Sequence, residues 1–293
     1  GVLTLEEAKK LALKSNVQFN LQQSYIQQAS ENYENVYDNN TRKDKTSCKS
    51  IADRAAAEVS RKIAIENAAS SVRKAIFNRN DLKRASDYNV ATAYYNVLKS
   101  MYSLKDQERN IDLKKKALDT ATIKYNLSII TKNTLSQAEE AYESARTSYN
   151  KAFSDLQNNM ATLSRLIDKS LDIFNDKLDM TLTLPDIKGL DLNRIKEDNM
   201  KNSSGFHSAK EQYDIAEYRL QLTEEKYDYY YKRLPNRTTA VMEQLDDMLD
   251  DAKRNFSDAK YSYRKKEKEL DVSLNNQYTS INNLYETYEN LKK

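Results

Sequence analysis

Residues 90–125 read VATAYYNVLKSMYSLKDQERNIDLKKKALDTATIKY, and this stretch decides the fold. Val90, Tyr94, Val97, Met101, Leu104, Glu108, Ile111, Leu118 and Tyr125 follow alternating steps of three and four, with gaps, and nothing among them breaks a helix. The pattern predicts one long helix with an apolar seam. The next residues, Asn126 to Asn133, carry no charge except Lys132 and read as a turn. Thr134 or Thr131 can cap the returning helix, whose seam is Leu135, Ala138, Ala141, Tyr142, Ala145, Tyr149, Ala152, Leu156, Met160, Leu163 and Ile167. Two long helices joined by a short turn make an αα-hairpin.

Working outward, Thr4 before Leu5-Glu6-Glu7 predicts a capping box and a short first helix with Leu5, Ala8, Leu11 and Ala12 on its apolar side. Ser15-Asn16 interrupts it. A second helix then follows through Phe19, Tyr25, Ile26, Ala29, Tyr33 and Val36. The polar run from Asn39 to Ser47 reads as a turn or loop, and Ile51 to about Phe77 as a further, Ala-rich helix. Residues 168–189 alternate at Met180, Leu182 and Leu184 and contain Pro185 and Gly189, which suggests a linker.

Beyond the linker the opening pattern returns. Leu3, Thr4, Leu5, Ala8, Leu13, Lys14, Phe19 and Ala29 match Leu190, Asp191, Leu192, Ile195, Met200, Lys201, Phe206 and Ala216 at one constant shift (190 − 3 = 187). Thr4 and Asp191 are both helix-capping types, so the match preserves a role as well as a polarity. The economical reading is an internal duplication: a first helical repeat over 1–168, a linker over 169–189 and a second repeat over 190–293. The second repeat stops inside its second long helix, as a fragment would.

Composition narrows the function classes. With 3 Gly and 2 Pro in 293 residues, the chain lacks the turn residues of a Rossmann domain, a P-loop ATPase or a β-barrel. The 47 Lys and Arg are balanced by 44 Asp and Glu, which argues against a nucleic-acid partner. No apolar run is long enough for a transmembrane helix, and no signal peptide is visible at Gly1, so any export signal has been removed or left out. The sequence implies an all-α, elongated antiparallel bundle or coiled coil.

Candidate chemical sites are weak. His207 is the only histidine, has no compact ligand set and reads as incidental on a helix surface. Asp246, Asp247, Asp250 and Asp251 read as a solvated face in preference to a divalent-ion site. Cys48 lies among Lys43, Lys45 and Lys49, which could depress its pKa, but it has no histidine partner nearby in sequence. Tyr229, Tyr230 and Tyr231, beside Lys232 and Arg233, suggest packing at a bundle end before they suggest a membrane interface or a cell-wall polymer. Tyrosines elsewhere read as seam residues whose hydroxyls reach water. No catalytic site, metal or cofactor is expected.

Four segments resemble the TolC-type outer membrane efflux protein family. They are Leu3 to Ala8 leading to Ala12-Leu13-Lys14-Ser15-Asn16, Ala91 to Leu98, Lys124 to Ser128 running into Thr134 to Ala138, and Leu163 to Ile167. The resemblance covers nearly the whole chain in the family's order. It implies a two-repeat helical protomer, trimeric in the family, that works without enzymatic chemistry beside a periplasmic adaptor (membrane fusion) protein and an ABC-type or other pump. It also implies that Leu127, Ser128, Ile129, Ile130 and Thr131 form a tip contacting the adaptor, where the family usually has Gly in place of Ser128. Two stretches depart from the family's pattern. Stretches 36–84 and 227–250, where the family inserts membrane strands, do not alternate as such strands must; the second offers a tight turn at Arg233-Leu234-Pro235-Asn236. The expected protein is therefore a barrel-less relative, exported to the cell envelope or beyond, monomeric or trimeric. The alternative is a stand-alone coiled-coil spacer unrelated to transport.

Overall fold

A computed structural model of the chain describes residues 2–42, 50–173, 175, 177–179, 181, 189, 191–233 and 238–292. Cys48 and its lysines, the 180–184 alternation, Pro185 and the Leu234-Pro235-Asn236 turn lie outside the described residues. Seven helices and two short strands are described: β1 (Val2–Leu3), α1 (Leu5–Ser15), α2 (Val17–Thr41), α3 (Ile51–Asn126), α4 (Lys132–Ile167), β2 (Lys177–Leu178), α5 (Leu192–Asn202), α6 (Ser204–Arg233) and α7 (Thr239–Lys292). Among the described residues the fold is all-α apart from that strand pair.

Two compact units are present, one made of 1–17 and 83–183, the other of 18–82 and 184–293, so α3 contributes to both. They do not coincide with the sequence segments 1–168 and 190–293. Compactness follows which helix faces meet in space, whereas a duplication is a property of chain order.

In the first unit, α1 starts as its sequence dictates. Glu7 N–H donates to the Thr4 hydroxyl at 3.2 Å, and Thr4 N–H donates to the Glu7 carboxylate at 3.1 Å. Two of the helix's orphan donors are thereby satisfied. Ala8 and Ala12 let α1 approach closely, and a contiguous core forms from Val90, Val97, Leu98, Leu156, Met160, Leu163 and Ile167. Burial along the α3–α4 seam fades toward the turn: Val90, Tyr94 and Val97 are buried, Met101 and Leu104 half-buried, Glu108 and Tyr125 exposed.

Sequence periodicity missed the strands, which are only two residues long. β1 pairs in parallel with β2, Val2 opposite Lys177 and Leu3 opposite Leu178, so part of the expected 169–189 linker is integral to this unit. Leu171 and Ile173 also pack on its core. Tyr94 holds the strand pair to α3: its hydroxyl lies 2.8 Å from the Leu3 carbonyl and 3.0 Å from the Asp179 carbonyl. Here the tyrosine hydroxyl is buried and does not reach water, contrary to the seam-residue expectation.

The second unit is assembled differently. Val59, Ile63 and Leu222 form one apolar cluster, and Ala52, Ala55, Tyr230 and Leu245 another. Rings and ion pairs join its helices as well. Tyr213 stacks on Tyr263 and tilts against Phe256, Lys226 pairs with Glu58, and Lys196 of α5 reaches Asp271 of α7 at 2.8 Å. α2 has no fully buried residue, so the apolar face read from Phe19 to Val36 is only partly covered.

Two helix boundaries differ from expectation. α2 continues through Asn39, Asn40 and Thr41, because the Asn40 amide donates to the Val36 carbonyl and the Thr41 hydroxyl to the Tyr37 carbonyl, keeping polar side chains inside the helical pattern. α3 runs unbroken from Ile51 to Asn126, joining two predicted helices, since the polar stretch 78–89 contains neither Gly nor Pro to stop it. The stretches read in place of membrane strands are helix over 36–41, 51–84, 227–233 and 239–250, and none of their described residues is strand.

Asp191 caps α5, accepting from Asn193 N–H at 2.9 Å and Arg194 N–H at 3.2 Å. Helices α1 and α5 are both 11 residues long. The interruption after α1 falls at Asn16 and that after α5 at Ser203, again 187 positions apart (203 − 16).

Candidate functional site

The turn between α3 and α4 contains all five residues assigned to the tip. The end of α3 is closed by two crossed backbone bonds: Ile129 N–H donates to the Lys124 carbonyl and Ser128 N–H to the Tyr125 carbonyl, both at 2.8 Å. This is the Schellman arrangement, in which the first residue past the helix cap, itself the inner of the two donors, adopts a left-handed conformation. Ser128 occupies that position with φ 59°. A residue with a Cβ pays for this conformation, which explains why glycine suits the position better. Of the two cap candidates, Thr131 is the one used, accepting from Thr134 N–H at 3.3 Å. The turn is thus short and bonded at both ends.

Its side chains face outward. Leu127 and Ile129 are each 65% exposed, and Ile123 one turn earlier is exposed as well. Ile130 is half-covered, while Ser128 and Thr131 are exposed. An apolar knob on a rigid turn loses little conformational freedom on docking, which favours recognition.

The other singled-out residues fall elsewhere. His207 departs from the surface expectation: its side chain is only 18% exposed, and its ring stacks on Phe77 of α3 with centroids 3.9 Å apart. Its Nε2 lies 3.2 Å from a Glu211 oxygen yet makes no hydrogen bond. Glu211 is committed to Arg73, whose Nε donates to it at 2.8 Å and whose Nη2 spans to Glu66 at 2.8 Å. Desolvation lowers the His207 pKa and outweighs the pull of Glu211 and Asp214, while Arg73 adds to the lowering. Burial pushes Glu211 up, but the hydrogen bond and charge of Arg73 bring it below the usual carboxylate value. Nothing in the order of residues signalled this cluster, because Glu66, Arg73 and Glu211 look like ordinary surface charges of α3 and α6.

Asp246, Asp247, Asp250 and Asp251 lie on an exposed face, where Tyr227 donates to Asp246 at 2.8 Å and Arg254 pairs with Asp251. Tyr230 is buried beside Leu245, while Tyr229 and Tyr231 are exposed. Among the described residues no set of three His, Cys, Asp or Glu side chains could hold a metal ion, and no helix is long and apolar enough to cross a membrane.

No protein-family model and no curated protein matches the sequence. Solved structures of outer membrane proteins are similar in fold. The outer membrane protein VceC from Vibrio cholerae is similar over 90% of this chain and 75% of its own, with a TM-score of 0.61 at 12% identity. CusC, whose structures describe folding and transmembrane channel formation, is similar over 98% of this chain and 78% of its own, with a TM-score of 0.62 at 11% identity. The TolC-like helical fold implied by the four sequence segments is therefore shown. At such identities the likeness concerns fold.

Proposed function

We propose that this chain is a non-enzymatic component or scaffold of a cell-envelope efflux or secretion assembly. The observation that carries the reading is the likeness to two outer membrane proteins across nearly the full chain. In this reading the protein is exported and acts as a monomer or homotrimer. Its 127–131 turn docks a periplasmic-adaptor-like partner that links it to an ABC-type or other pump. The exposed, rigid apolar knob supports that docking role.

The two-repeat organisation belongs to the same proposal. It is supported by the equal lengths of α1 and α5, by their side-chain caps at Thr4 and Asp191, and by interruptions at matched positions. The test is capture from envelope extracts of the source cells, with the wild-type chain compared with a Leu127→Asp/Ile130→Asp variant. Wild type should recover an adaptor of helical-hairpin type, and the variant should lose it while retaining its helix content. Equal recovery by both would remove the tip from the mechanism. Recovery of no transport component by either would favour a spacer unrelated to export.

A further inference from the structure

A cleft of about 390 Å³ lies along the α3–α4 hairpin of the first unit, well away in sequence from the 127–131 turn. Asn96, Lys99 and Ser103 line it from α3, and Asp155, Asn158 and Asn159 from α4. Its floor is fixed by the Asn159 amide, which donates to the buried Ser100 hydroxyl at 2.6 Å. Among the described residues, the side chains of Asn96, Lys99, Ser103, Asp155 and Asn158 have no hydrogen-bond or ion-pair partner, so their donors and acceptors remain available. One cation and one anion cancel. What remains is amide and hydroxyl chemistry, which selects a neutral ligand rich in hydroxyls or amides.

The helix face beside the cleft adds flat apolar surfaces. Tyr95 and Tyr102 flank Lys99 at positions i−4 and i+3, so all three lie on one stripe of α3. They are 46% and 44% exposed, and Tyr88, one heptad earlier, is more exposed still. At the helical rise, seven residues separate Tyr95 from Tyr102 by about 10 Å, the reach of a disaccharide. A pyranose ring presents C–H groups on one face and hydroxyls around its edge. The tyrosine faces match the first and the cleft's amides the second.

We propose that this face binds a glycan chain of pyranose units bearing acetamido groups. Tyr95 and Tyr102 act as stacking platforms, and the Asn96 and Asn158 carboxamides exchange hydrogen bonds with the acetamido groups. The proposal goes beyond the transport reading and does not rest on it.

The probe is the N-acetylglucosamine hexamer, titrated into the full chain by calorimetry or followed by saturation-transfer NMR. Binding should be weakened about tenfold or more by Tyr95→Ala combined with Tyr102→Ala, which removes two exposed rings and leaves the core intact. Asn158→Asp should also weaken it, while Tyr261→Ala, a still more exposed ring on α7, should not. Single N-acetylglucosamine should bind far more weakly than the hexamer, and the glucose hexamer of the same linkage more weakly too. No binding of the hexamer, or binding indifferent to the Tyr95/Tyr102 pair, overturns the proposal. Equal binding of the monosaccharide overturns the chain assignment, and equal binding of the glucose hexamer overturns the acetamido assignment.

Discussion

The two compact units solve one packing problem in different ways. In the first, thirteen buried residues form one contiguous apolar core, closed by a parallel strand pair that Tyr94 fastens to α3. In the second, the apolar clusters contain four and three buried residues among those described, and the helices also meet through Arg73–Glu211, Lys226–Glu58, Lys196–Asp271 and stacked rings. Apolar burial is non-directional and supplies most of the driving force; charged and aromatic pairs are directional and set register. The first unit should therefore respond most to lost volume, the second to lost charge and to pH.

The largest test of that contrast removes volume. Leu163→Ala, at a fully buried site of the large core, should cost about 2–5 kcal/mol in denaturant unfolding. Leu245→Ala in the smaller cluster should lie near the low end of that range, about 2 kcal/mol, because fewer surrounding groups lose contacts. Equal costs would erase the distinction. Next, Tyr94→Phe keeps the ring and deletes its hydroxyl, leaving the Leu3 and Asp179 carbonyls without this donor. A loss of about 1–2 kcal/mol is expected, with faster amide exchange around 177–179.

Acidification sharpens the contrast from the other side. The folded-state pKa of His207 is below its ordinary 6.5, so neutral His207 is favoured in the fold. As pH falls through 6.5 the unfolded chain takes up this proton first, and the stability of the second unit declines until the folded pKa is passed. Glu211 is shifted below its ordinary 4.5, so its contribution is present above that value and is lost only at lower pH. Hydrogen exchange at pH 7 and 5.5 should show weakened protection in α6 while α4 is unchanged, and His207→Gln should abolish the difference. The smallest effect concerns the turn: Ser128→Gly should stabilise the chain by about 0.5–1 kcal/mol by relieving the left-handed residue.

Much of this was legible in the chain. The two helices and the turn of the α3–α4 hairpin, the Thr4 capping box and the interruption at Asn16 are set by residues no more than a few positions apart, so period and cap chemistry suffice to read them. The turn was legible too, since residues without charge between two charged amphipathic helices mark a turn. The strand pair was not: two residues carry no period, and the bonds that hold them come from Tyr94, some ninety positions away from Leu3. The His207 cluster was equally hidden, because charge says nothing of which distant helix will face it.

Sequence by itself determined that the chain is helical, where its helices are capped, and that its opening pattern recurs at 187 positions. These follow from local backbone energetics and from chain order. Tertiary structure alone decided that Tyr94 is a buried fastening, that His207 is enclosed against Phe77, and that the units divide along 18–82 and 184–293. Those outcomes depend on which faces desolvate one another, and that is settled only when helices far apart in sequence are brought together.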